Sequence, residues 1–205
     1  MTKARDPSSR SIQLVATIVS IHDHQSDFNY WQSQPLSKRL LALEEVRSEY
    51  SVRSTRDGYI ALTPDYKEFI QSLNDSSVRY LVVGGYAVAI HGYPRFTKDM
   101  DIWIDRSQEN AERMVKALDG FGFSSLGLKG SDFLVEDQII QLGYPPNRID
   151  LITSLQGVTF EESFKNRLQV KIEGVEINFI DLDNLRRNKK ATGRLQDLAD
   201  LEKLE

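Results

Sequence analysis

Two aspartates at positions i and i+2, Asp99 and Asp101, are the residues of this chain whose types and spacing best suit chemistry. They lie in the apolar run Asp99-Met-Asp-Ile-Trp-Ile104, which is typical of a β-strand. Side chains alternate between the two faces of a strand, so both carboxylates point to one face and Met100 and Ile102 to the other. Carboxylates this close repel each other unless a cation lies between them. The pair therefore predicts a divalent-cation site.

Two adjacent glycines, Gly84 and Gly85, follow the apolar run Tyr80-Leu-Val-Val83. Because glycine has no Cβ, a turn of this kind lets backbone N–H groups approach a phosphate closely. The alternative is a tight strand-to-helix turn that binds nothing. Taken with the carboxylates, the turn indicates a site for Mg²⁺ and a nucleotide.

A third acid, Asp150, lies inside another apolar run, Arg148-Ile-Asp-Leu-Ile152. A charge in such a strand is costly unless it is paired, solvated or bound to metal. If this strand lies beside the one that carries Asp99 and Asp101, three carboxylates converge and could hold two Mg²⁺ ions, with Mn²⁺ as an alternative. The competing interpretation of all three acids is a solvated polar face on an edge strand.

The composition excludes several other classes of site and location. The net charge of −4 argues against a broad nucleic-acid-binding surface and is compatible with a local basic patch. The lack of cysteine excludes disulfides and zinc held by thiolates. The apolar run 12–21 is too short and too polar to span a bilayer, and it carries no signal-peptide pattern. We therefore expect a cytoplasmic protein with no membrane partner.

The order of the predicted elements favours an α+β (α/β) fold, with a mixed sheet and helices packed on it. Thr63 and Pro64 open one helix, and Ser107 caps another that runs to about residue 121. A helix is also expected from about 85 to 91, and further helical stretches from Leu182 onward. The predicted strands cover residues 79–83, 99–105, 138–142, 148–153, 168–172 and 175–180, of which the last four form two hairpins.

Residues 1–58 are predicted to be an appendage to a catalytic domain at 59–205. In this appendage we expect disorder at 1–10, a strand at 13–21, an amphipathic helix that begins at Pro35, and a linker at 51–58. The helix either extends the core or acts as a partner in cis that restrains access to the catalytic domain.

The whole pattern resembles the nucleotidyltransferases of the DNA polymerase β type. The stretch Gly84-Gly-Tyr-Ala-Val-Ala-Ile-His-Gly-Tyr-Pro-Arg-Phe-Thr-Lys-Asp-Met-Asp-Ile-Trp103 is similar to the minimal nucleotidyltransferases and AbiEii-type toxins of prokaryotes. The C-terminal stretch Asn188-Lys-Lys-Ala-Thr-Gly-Arg-Leu-Gln-Asp-Leu-Ala-Asp200 is similar to the same group. Residues 27–47 are similar, more weakly, to antitoxin-like partners of such enzymes.

The resemblance implies a role for each matching residue. Asp99 and Asp101 match the metal-binding pair, and Asp150 matches the third carboxylate, a general base or second-metal ligand. Gly84 and Gly85 match the turn that meets the triphosphate. Many members have Gly-Ser there, so this chain lacks one hydroxyl contact.

Several polar residues around these motifs would then bind the nucleotide. Lys189 and Arg194 match basic residues of the C-terminal motif, with Asp197 and Asp200 orienting them or capping the last helix. The alternative for both cations is a helix end that offsets the macrodipole. Three residues just before the first aspartate could touch phosphates: Arg95, Thr97 and Lys98. By alternation Trp103 shares the face of the aspartates, where it either contacts a base or packs.

The activity implied is transfer of an NMP from an NTP to an acceptor hydroxyl, with release of pyrophosphate. The acceptor could be a tRNA end, a protein such as a partner toxin or antitoxin, or a small molecule, and a homodimer is among the expected assemblies. The alternative is a non-catalytic component of a toxin–antitoxin system that uses the fold as a binding scaffold.

Overall fold

A computed structural model describes residues 10–22, 33–39, 62–93, 95, 97, 99–145 and 147–204. Several predictions fall on other parts of the chain: the disorder at 1–9, the linker at 51–58, the boundary after residue 58 and most of the antitoxin-like segment. Of the helix predicted from Pro35, residues 36–39 are described and are helical.

The described residues form seven strands and six α-helices of six or more residues, together with the helical residues 36–39, two short 3₁₀ helices and the connecting loops. Capping explains where three of the helices begin, because the side chains of Thr63, Ser107 and Asp181 each accept a hydrogen bond from a backbone N–H in the first turn. In chain order the elements are β1 (Ala16–Ser20), α1 (Pro64–Asp75), β2 (Tyr80–Val82), α2 (Gly84–Ile90), β3 (Asp99–Ile104), α3 (Gln108–Gly120), β4 (Gln138–Leu142), β5 (Arg148–Ile152), α4 (Phe160–Lys165), β6 (Leu168–Ile172), β7 (Val175–Phe179), α5 (Leu182–Thr192) and α6 (Leu195–Leu204).

The strands form one mixed sheet in the order β1-β4-β5-β3-β2-β7-β6. The pairs β3–β5 and β2–β7 are parallel, and the other neighbours are antiparallel. This confirms the predicted α+β class with its mixed sheet and both hairpins. Helix α1 packs against α3 and β7, and edge-to-face contacts between Phe69 and Phe121 lie in the core.

The N-terminal strand belongs to this sheet. Strand β1 pairs antiparallel with β4, Ala16 opposite Leu142, and forms one edge. Just before it, the buried carboxylate of Asp65 in α1 accepts hydrogen bonds from the backbone N–H groups of Ser11 (2.7 Å) and Ile12 (3.1 Å). Residues 10–20 are therefore joined to the rest of the fold by backbone pairing and by a buried carboxylate.

No helix among the described residues has both the length and the apolar character that a membrane span requires.

Candidate active site

Four polar side chains lie on one face of the two central strands β3 and β5. The parallel register places Asp99 opposite Arg148 and Asp101 opposite Asp150. The residue between the two aspartates, Met100, is fully buried, as strand alternation requires. The condition for convergence, that these two strands are neighbours, is met, and the three carboxylates come together.

The three carboxylates can each place an oxygen within 4.8 Å of the other two. Burial, followed by the negative charges of Asp99 and Asp150, raises the pKa of Asp101 to about 8. The positive charges of Arg148 and Arg194 offset only part of this effect. Like charges directly opposite each other in a sheet are destabilising, so this arrangement favours a bound cation.

Arg148 lies on this face as well, and the sequence analysis did not single it out. Its Nε donates to Asp150 Oδ1 at 2.7 Å, and its Nη2 donates both to Asp150 Oδ2 at 2.9 Å and to Asp99 Oδ2 at 2.8 Å. The side chain of Arg148 is only 5% exposed. The signal was present in the sequence, because Arg148 precedes Asp150 by two and must share its face.

The donor set fits a divalent metal ion such as Mg²⁺ or Mn²⁺. All the atoms offered are carboxylate oxygens, which hard cations prefer. Thr97 Oγ1 donates to Asp99 Oδ1 at 2.8 Å and so fixes the orientation of that carboxylate. The carboxylate of Asp101, by contrast, accepts no hydrogen bond from the part of the chain that the structure describes, although its backbone carbonyl accepts one from the Val83 N–H. A half-buried carboxylate with a raised pKa and no donor is well suited to a metal ion.

The glycine turn lies directly against these carboxylates. Gly84 has φ of +59°, and a Cβ there would lie 1.9 Å from Asp101 Oδ2. A Cβ at Gly85 would lie 2.7 Å from Cβ of Thr97. Both glycines are thus required by close approach to these side chains, a reason for glycine that differs from phosphate binding.

The cations of the C-terminal motif are already paired with acids. Lys189, in α5, is buried and its Nζ donates to Asp197 (2.9 Å) and Asp200 (2.7 Å) of α6. Arg95 forms a bidentate pair with Asp200 (2.8 and 3.0 Å). Burial by itself would raise the pKa of Asp200. The hydrogen bonds from Arg95 and Lys189 outweigh burial and hold this pKa below its usual range.

This network changes what the predicted phosphate ligands can do. The predicted direct contact of Lys189 with phosphate does not agree with a buried ammonium held by two carboxylates, so Lys189 is better placed to position α6. Arg194 Nε donates to Asp197 at 2.7 Å, but its side chain is 67% exposed and could also contact a ligand. Lys98 lies outside the described residues.

A cleft of about 480 Å³ opens beside the carboxylates, within the size range of small-molecule sites. Its lining includes Asp99, Asp101, both glycines of the turn, and residues of α5 and α6, together with Ile21 and His22 that follow β1. Trp103 is not part of the lining. It is 3% exposed and packs edge-to-face on Phe160 at 5.1 Å, so the packing interpretation of this residue is correct and the base contact is not.

Comparison with known proteins gives one family. The sequence pattern of a family described as nucleotidyltransferase of unknown function (DUF6036) matches residues 46–205. No curated protein matches the chain.

The solved structures that are similar to the chain include the following two proteins. An antigenic nucleotidyltransferase-like protein from Paracoccidioides brasiliensis is 19% identical over 70% of this chain and 77% of its own, with a TM-score of 0.42. A nucleotidyltransferase-like protein from Thermotoga maritima is 16% identical over 72% of this chain and 97% of its own, with a TM-score of 0.47.

Proposed function

Because the chain belongs to this nucleotidyltransferase family, we propose that it transfers an NMP from an NTP to an acceptor hydroxyl and releases pyrophosphate. The observation that carries the proposal is the convergence of Asp99, Asp101 and Asp150, of which the first two line a cleft of about 480 Å³. In phosphoryl transfer the protein contributes mainly position and charge stabilisation, and an acid cluster beside an open cleft supplies both when a metal is bound.

We assign the metal to Asp99 and Asp101, with Asp150 completing the negative charge of the site. A divalent cation, when bound, neutralises charge on the α-phosphate and favours the deprotonated acceptor hydroxyl. Thr97 holds Asp99 in one orientation, and Gly84 leaves room for Asp101 beside the turn. Mg²⁺ is the expected ion and Mn²⁺ its substitute.

The nucleotide is proposed to lie in the cleft with its triphosphate near Gly84 and Gly85. Arg194 has the exposure to contact it directly. Arg95 is about one-third exposed and is paired with Asp200. In this position only the solvent-exposed part of its side chain can contact a phosphate. Thr97 and Lys98 remain proposed phosphate contacts.

The acceptor is a tRNA end, a protein hydroxyl or a small molecule, and we place the activity in the cytoplasm, where NTPs are abundant. A link to a toxin–antitoxin system is part of this proposal and rests on the resemblance to AbiEii-type toxins. The non-catalytic scaffold is the rival, and it has no need for Mg²⁺-dependent nucleotide binding.

Incubation with each of the four α-³²P-labelled NTPs tests the proposal. The acceptors supplied are total tRNA, the protein itself and a panel of hydroxyl-bearing small molecules. We expect label to move to one acceptor class with Mg²⁺ and not with EDTA, and not with Asp101→Asn. Transfer that persists in Asp101→Asn would contradict the assigned site.

A further inference from the structure

We propose that Arg148 takes the place of one of the two metal ions expected for three carboxylates, so that the site holds a single divalent cation at Asp99 and Asp101. This inference rests on the proposed function, since it concerns how the same site is charged. In this arrangement Asp150 is the partner of Arg148. It neither binds the metal ion nor accepts the proton of the acceptor hydroxyl.

The geometry of the guanidinium carries the inference. Arg148 engages both oxygens of Asp150, at 2.7 and 2.9 Å, and one oxygen of Asp99, at 2.8 Å. Bidentate pairing of this kind is the strongest that a carboxylate makes with a side chain. Gln141, opposite Asp150 on β4, adds a weaker contact at 3.5 Å. Asp150 is 1% exposed, so neither solvent nor an acceptor reaches it easily.

The charge balance points the same way. Three ionised carboxylates carry −3, and Arg148 leaves −2, which a single divalent cation neutralises. In the protein without nucleotide, a second divalent ion would leave this partly buried site with a charge of +2, and uncompensated charge there is costly. A guanidinium cannot leave the strand, so the cation it supplies is permanent and always charged.

Asp101 is the carboxylate that this pairing leaves without a partner. Arg148 reaches Asp99 and Asp150, and Thr97 reaches the other oxygen of Asp99. No such contact with Asp101 is found within the described residues. The exogenous cation is therefore expected at Asp101, with Asp99 as its second ligand.

Mn²⁺ binding to the full chain, followed by electron paramagnetic resonance of the free ion, tests this proposal without an activity readout. We expect the wild type to bind one Mn²⁺. The charge-matched double variant Arg148→Met/Asp150→Asn should bind one Mn²⁺ with an affinity within about threefold of wild type, because Asp150 is not a ligand. If Asp150 is a ligand, the double variant should lose about tenfold or more.

The single variant Arg148→Met is the second arm. It releases Asp150, so we expect a second Mn²⁺ or affinity tighter by about tenfold. Since this variant also removes the guanidinium from the buried Asp150 carboxylate, it should unfold at a lower temperature than wild type, and added Mn²⁺ should restore part of the lost melting temperature. If Arg148→Met does not fold, the Mn²⁺ affinity of the double variant still shows whether Asp150 is a metal ligand.

The outcomes separate the two proposals. Two Mn²⁺ ions on the wild type, or the large loss in the double variant, would overturn the role of Arg148 and leave the metal site standing. No Mn²⁺ on the folded wild type, or unchanged binding in Asp101→Asn, would overturn the metal site and with it both proposals.

Discussion

Oδ2 of Asp101 lies where a Cβ on Gly84 would be, 1.9 Å from the ideal position of that atom. The first glycine of the turn and the second aspartate of the strand are thus fitted to each other. The Asp101 carboxylate lies so close to the Gly84 backbone that a side chain at position 84 would displace it.

Gly84→Ala should therefore damage the site as well as the fold. The positive φ of +59° adds strain of roughly 1–2 kcal/mol, and the new methyl group must displace the Asp101 carboxylate. We expect loss of Mg²⁺-dependent nucleotide binding, measured by calorimetry, together with a lower melting temperature. Gly127→Ala is the matched control, because Gly127 has φ of +69° and open space around it. If both variants bind nucleotide as the wild type does, nucleotide binding does not depend on the close approach of Gly84 to Asp101.

The pKa of Asp101, raised to about 8, predicts a pH dependence of stability in the metal-free protein. The folded chain keeps this proton at pH values where the unfolded chain, with an ordinary carboxyl pKa, has lost it. Unfolding then releases a proton, so the contribution of Asp101 makes stability fall as pH rises from about 4 to 8. Asp101→Asn removes this contribution.

The measurement is the melting temperature in EDTA between pH 6 and pH 9, for wild type and Asp101→Asn. The variant should gain on the wild type as pH rises, and Mg²⁺ should stabilise the wild type more at pH 8.5 than at pH 6.5. Parallel curves for the two proteins would show that Asp101 does not titrate in this range.

Lys189→Met should be strongly destabilising, because it leaves Asp197 and Asp200 buried beside fewer cations. Removing one partner from a buried ion pair costs about 3–5 kcal/mol. Urea denaturation measures the loss, and Lys190→Met, at an exposed neighbour, is the control with little expected change. A loss below about 1 kcal/mol would mean that the acids find other partners.

Asp65→Ala should weaken the attachment of the N-terminal strand. Asp65 accepts hydrogen bonds from Ser11 and Ile12, so we expect a loss of about 2–3 kcal/mol in the free energy of unfolding. Asp75→Ala, at the exposed end of the same helix, is the control. Proteolysis near residue 10 should be faster in Asp65→Ala alone. Equal rates in both variants would show that the buried carboxylate does not hold this segment.

Much of the fold follows from local signals in the sequence. The Thr63–Pro64 start of α1, the cap at Ser107 and both hairpins were predictable, because capping, alternation and turn residues act over a few positions. The convergence of Asp99, Asp101 and Asp150 needed one further assumption, that β3 and β5 are neighbours.

Other features depend on contacts between distant parts of the chain. Alternation alone could place Arg148 on the face of Asp150, but only the register shows that it also reaches Asp99. The ion pairs of Lys189 with Asp197 and Asp200 depend on how α5 packs against α6. The cation-rich sequence of this motif does not predict that packing. The pairing of β1 with β4 joins residues more than a hundred positions apart.

The central claim is that the carboxylates of β3 bind a nucleotide through a divalent metal ion. The most direct test is titration calorimetry of each NTP against the full chain, with Mg²⁺ and with EDTA, for wild type and Asp99→Asn/Asp101→Asn. We predict binding of at least one NTP that requires Mg²⁺ and is lost in the double variant. A folded wild type that binds no NTP, or a double variant that binds as the wild type does, would contradict the claim.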